Sequence, residues 1–175
     1  MITLAFYKGR GSSFWNRVQD WAIRFATRSP YSHVELIQGS ADLGREATCL
    51  SSSGRDGGVR ETTILLKPTH WDLVDLPDQP EEIGTFIRDR IGARYDYVGI
   101  IFSQILSLGR HNPDKWFCSE ICAAALGMPN AQRMSPQSLY DVVTWAQLQR
   151  LTDPAPALHE PLAPQGIAGA GPKRP

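Results

Sequence analysis

Three cysteines and four histidines supply the thiols and imidazoles of this chain. A thiolate attacks carbonyl carbon if it has a base within hydrogen-bond reach and a third group to orient that base. Cys118 is the best placed of the three thiols. It follows Lys115-Trp-Phe and opens a run of small residues, Ser119-Glu-Ile-Cys-Ala-Ala-Ala-Leu126, which Gly127 closes. The start of a helix presents N–H groups and a partial positive charge, and both stabilise a thiolate. An N–H there can also donate to a developing oxyanion. The competing role is that of a small buried core residue, the common fate of a lone cysteine. That role is expected for Cys122, one turn further on between Ile121 and Ala123, and for Cys49, beside Leu50 on a strand.

Among the histidines, His33 lies in Ser32-His-Val-Glu-Leu-Ile, at the start of a strand. A rigid strand positions a base better than a loop does. His111, seven residues before Cys118 in a turn-rich loop, is its rival. His70 reads as a strand edge and His159 lies in a tail. The third group is expected on the neighbouring strand. Ser51 ranks first and Glu46 second, with Ser53 and Glu35 behind them. Alternation puts Glu35 on the same face as His33, but hairpin register is open, and a slip of one residue reverses every side chain. Glu120, in the first turn of the cysteine helix, suits the helix dipole better than catalysis. Arg55, Asp56 and Arg60, around a glycine turn, read as a salt-bridged loop. Tyr95 reads as a turn residue before a helix.

Strands are expected over Ile2–Tyr7, Tyr31–Gln38, Glu46–Ser52, Val59–Leu66 and His70–Leu76. Ser12-Ser13 caps a helix running through Phe14, Val18, Trp21 and Phe25, which stops before Pro30. Further helices are expected through Ile83–Ile91, through Val98–Leu108, from Cys118, and from Ser135-Pro136 onward. The order is α+β, an antiparallel sheet packed by helices. Residues 1–152 make one domain. From Asp153 the chain is rich in Pro, Gly and Ala, and residues 153–175 read as a disordered tail.

The 175 residues include 18 basic and 18 acidic side chains, so net charge asks for neither nucleic acid nor an anionic surface as partner. No CxxC and no His-x₃₋₅-His spacing makes a metal site, and no cofactor is expected. Three cysteines form no disulfide framework and suit a reducing compartment. Met1–Lys8 lacks the pattern of a secretory signal. No stretch reaches the roughly 20 apolar residues of a membrane span. A cytoplasmic location is therefore expected.

Ser32-His-Val-Glu-Leu, the Ser53–Arg60 segment, Tyr95-Asp-Tyr and Phe117-Cys-Ser-Glu120 together resemble the permuted NlpC-type papain-like amidases. The YiiX-like branch and its phage-encoded relatives are the nearer likeness, and the lecithin:retinol acyltransferase-like proteins the more distant one. The resemblance covers roughly residues 2–145. In ordinary NlpC-type enzymes the cysteine helix precedes the histidine strand; here, as in the permuted branch, it follows. The resemblance implies a papain-like fold, Cys118 as nucleophile, His33 as base and Tyr95 near the oxyanion. It also implies an amide-bearing peptide or cell-wall-derived substrate, and a phage-type origin. Where some members supply an acidic or histidine third residue, this chain offers Ser51 to Ser53. An acyltransferase or thioesterase working on lipid acyl groups, and a non-catalytic binding module, are the other functions such a chain could have.

Overall fold

The computed structural model describes residues 1–9, 24, 29–77, 79–80, 82–95 and 114–152. The helices expected over 12–25 (Arg24 apart) and 98–108, and the tail from 153, lie outside these residues. Seven strands form one sheet: β1 (Ile2–Tyr7), β2 (His33–Gln38), β3 (Glu46–Ser53), β4 (Gly58–Leu65), β5 (Trp71–Leu76), β6 (Arg94–Tyr95) and β7 (Lys115–Trp116). Among the described residues there are three α-helices, α1 (Ile83–Arg88), α2 (Cys118–Ala125) and α3 (Pro136–Thr152). A 3₁₀ turn, Ala131–Arg133, separates the last two. The architecture is α+β.

The strand order is β5-β1-β2-β3-β4-β6-β7. Pairing is antiparallel except between β6 and β7, which run parallel. All six residues of β1 are buried. Thr3 apart, they alternate between two apolar clusters, as strand geometry requires. Ile2, Leu4 and Phe6 join Val34, Leu36 and Leu50 in the larger one, with Ile87 of α1, Ile121 and Cys122 of α2, and Leu139 and Val143 of α3. Ala5 and Tyr7 join Ile37, Cys49, Leu66 and Trp71 in the smaller one.

Where the expected strands and helices fall on described residues they are present, with three differences. The Ile83 helix ends at Arg88 rather than running on to Ile91. Gly92–Asp96 is not all loop, because Arg94–Tyr95 pairs with Gly58 on one side and with Lys115–Trp116 on the other. Lys115-Trp116, for which no strand was expected, is likewise a strand. Two-residue strands carry too few side chains to show a period of two. Gly58 allows the first of these pairings. A Cβ there would lie 2.0 Å from the carbonyl oxygen of Ala93, so only glycine admits the segment that carries Tyr95.

Ser135 caps α3 as its sequence suggests: Ser138 N–H donates to its Oγ at 3.0 Å, and Pro136 takes the first helical position. Among the described residues no helix is long and apolar enough to cross a membrane.

Candidate functional site

Cys118 is the first residue of α2, and its position is fixed from both sides. Upstream, Ser52 Oγ on β3 donates to the Trp116 carbonyl at 2.7 Å, holding β7 against the sheet. Phe117 at the N-cap has no side chain able to accept; instead its own N–H donates to Glu120 Oε2 at 3.4 Å. Downstream, Ser119 Oγ donates to the Met134 carbonyl at 2.6 Å. The first N–H groups of a helix have no intrahelical acceptor, and Cys118 is the residue at which those of α2 begin. Glu120, expected to serve the helix dipole, lies in the first turn and accepts this capping bond, and it is buried.

His33 is the first residue of β2, opposite Tyr7 of β1. The Ser32 N–H donates to the Tyr7 carbonyl at 3.0 Å and anchors the strand's start. One residue opens a strand, the other opens a helix, and the two meet at these ends: the Cys118 thiol lies within hydrogen-bond reach of the His33 ring. The ring's Nε2 is 2.6 Å from Glu35 Oε1. With Nε2 so engaged, Nδ1 is the nitrogen left for the thiol. Burial opposes charge on His33, yet the Glu35 carboxylate and Cys118 together lift its pKa to about 9.

Glu35 is fully buried. A bare carboxylate there would be strongly destabilising, and two cations balance it. Besides His33, Arg60 of β4 makes a forked contact, Nη1 to Oε2 at 2.7 Å and Nη2 to Oε1 at 2.5 Å. Burial would raise the Glu35 pKa, but His33 and Arg60 hold it well below the usual carboxylate range. Arg60 Nε also donates to Asp56 Oδ2 at 2.9 Å. The result is a continuous line of contacts, Asp56–Arg60–Glu35–His33–Cys118.

The partner of His33 thus comes from its own strand, not from the neighbour that ranked higher in sequence. Ser51 Oγ is fully buried and donates to the Val34 carbonyl at 2.7 Å. Glu46 is exposed at the far end of β3, roughly 23 Å along the strand from Ser53 at about 3.3 Å per residue. Ser53 Oγ accepts from the Arg55 N–H at 3.2 Å, within the turn. Tyr95 is brought close: it lines the same cleft as His33, and it pairs with Trp116, two residues before Cys118. His70 packs edge-on to Tyr7 with ring centroids 6.0 Å apart. His111 and His159 lie outside the described residues.

Arg60 was absent from the third-group candidates. The signal for it was a glutamate on an apolar strand, which needs a cation, and β4 carries a single basic residue to supply one. Cys49 and Cys122 are buried, as expected of core residues, and Cys118 is buried with them. Burial pushes Cys49 up to about 12 and Cys122 well above the usual thiol value.

His33, Glu35, Arg60 and Tyr95 face a cleft of about 310 Å³ whose aromatic wall is Tyr7 and Trp71. Cys118 does not line that cleft and is 2% exposed, while the His33 side chain is 19% exposed. Among the described residues no three His, Cys, Asp or Glu side chains gather as a metal site would need. No family model matches the chain, and no curated protein matches it either.

Proposed function

We propose that the chain is a thiol hydrolase of amide bonds, built as a permuted NlpC-type papain-like domain, with Cys118 as nucleophile and His33 as base. The observation that carries this reading is the contact of a helix-start thiol with a histidine whose far nitrogen is held by a buried carboxylate. The Cys118 thiolate attacks the amide carbonyl, and N–H groups at the start of α2 receive the oxyanion. Imidazolium His33 gives its proton to the leaving amine nitrogen as the C–N bond breaks. Neutral His33 then takes a proton from water, which attacks the thioester and releases the acid and the thiolate. Glu35 keeps the ring oriented and stabilises its charged form throughout. Peptides and cell-wall stem peptides are the substrate class, and Tyr95, which lines the cleft with His33, is the residue assigned to the neighbourhood of the oxyanion.

The near-complete burial of Cys118 favours a second reading, a binding module that kept the fold without turnover. One experiment separates them. The protein is mixed with a panel of peptide and stem-peptide amides and followed by intact-protein mass spectrometry. A transient acyl adduct mapping to Cys118, with turnover lost by several orders of magnitude in Cys118→Ala, supports the hydrolase. Undiminished cleavage by Cys118→Ala overturns it. A substrate that binds without adduct or cleavage supports the module.

A further inference from the structure

We infer that Arg60 is a positioning residue for the Cys118–His33 pair, acting through Glu35 and touching neither of the two. This inference deepens the hydrolase reading and rests on it. Arg60 is well placed for such a role. Its side chain is 15% exposed, its two terminal nitrogens meet both oxygens of Glu35, and its Nε is tied back to Asp56. A forked guanidinium fixes a carboxylate in orientation as well as in charge, which a point cation does not. Glu35 can then present Oε1 to His33 Nε2 at one angle, which leaves Nδ1 directed to the thiol.

The groups that face Glu35 define what happens when Arg60 is removed. Among the described residues, Glu35 is hydrogen-bonded to His33 on its own strand and to Arg60 from β4, its charge is also felt at Asp56 in the turn before β4, at Cys49 of β3 and at Cys122 of α2, and Arg55 lines the same cleft. Arg60 is the permanent cation whose guanidinium is hydrogen-bonded to both oxygens of Glu35. Without it, burial favours the protonated form of Glu35. A protonated Glu35 no longer supports imidazolium at His33, and the thiolate–imidazolium pair loses its partner charge. The loss is greatest at low pH, where Glu35 takes up its proton first. Above that range Glu35 ionises again and the pair recovers.

The test measures the rate of Cys118 alkylation by iodoacetamide against pH, in full-length protein, with peptide mapping. Arg60→Gln should move the acid limb of the profile upward by about one pH unit or more, so that the rate on that limb falls about tenfold or more and rejoins the wild-type rate on the alkaline side. Arg60→Lys, which restores a charge but not the fork, should return the limb part of the way. Glu61→Gln lies next along β4 and breaks only the surface pair with Arg88; it serves as the control for changes to that strand. If Arg60→Gln lowers the rate by the same factor at every pH, or lowers only the melting temperature, the positioning role is overturned. If Arg60→Gln does not fold, Arg60→Lys alone decides: a profile identical to the wild type contradicts a need for the fork. Wild-type protein in which Cys118 shows no His33-dependent alkylation would instead defeat the hydrolase reading beneath it.

Discussion

A carboxylate two residues from a histidine on one strand face is the feature from which this site is built. Glu35 and His33 share a face because strand side chains repeat every two residues, so their 2.6 Å contact needs no help from hairpin register. Ser51 was favoured in sequence because a neighbouring strand usually supplies such a partner. The structure gives its hydroxyl a different acceptor, the Val34 carbonyl. The two roles separate experimentally. Glu35→Gln keeps the shape but removes the charge that supports imidazolium, so Cys118 alkylation at pH 7 should slow by about tenfold or more. Ser51→Ala removes one buried hydrogen bond and should cost about 1 kcal/mol of stability, seen as a lower melting temperature with the alkylation rate kept. The opposite pattern would return Ser51 to the third position.

At the scale of elements, the parts that the sequence spells out are those with a period or a cap. β1 reads as a strand from Ile2 to Tyr7 because every residue is apolar or small, and the structure gives the same bounds. The starts of α2 and α3 are legible from Cys118 before an alanine run and from Ser135-Pro136. What could not be read are β6 and β7. Each has two residues, and their pairing depends on the Gly58–Ala93 approach, which is a property of packing rather than of local pattern. These short strands matter to the site, since they set Tyr95 beside Trp116 and deliver the chain to Cys118. Arg60 escaped for a related reason: beside a glycine turn it reads as part of a salt-bridged loop, as its pair with Asp56 bears out, and its second pair, with Glu35 two strands away, comes from the arrangement of the sheet.

Over the whole molecule, the site leaves a mark on stability against pH. His33 binds its proton more tightly folded than unfolded, with a pKa of about 9 against an ordinary 6.5. Its contribution is therefore complete below about pH 6.5 and lost as pH rises to about 9. Glu35 has the opposite sign: its folded pKa is lowered from an ordinary 4.5, so its contribution is present above about pH 4.5 and lost as pH falls through the lower folded value. Both are complete only between about pH 4.5 and 6.5. The melting temperature should be highest in that window and decline toward pH 9, and Glu35→Gln should flatten the alkaline decline. A wild-type melting temperature that climbs from pH 6.5 to 9 would contradict the charged His33–Glu35 pair.

The central claim, that Cys118 and His33 act as one nucleophilic pair, is tested most directly by brief iodoacetamide labelling at pH 7 with peptide mapping of all three cysteines. Burial pushes the Cys49 and Cys122 thiols upward, and Cys118 alone sits at a helix start beside an imidazole. Cys118 should be modified first, and His33→Ala should abolish its lead. Equal labelling of the three cysteines, a preference for Cys49 or Cys122, or a Cys118 rate unchanged in His33→Ala would contradict the account.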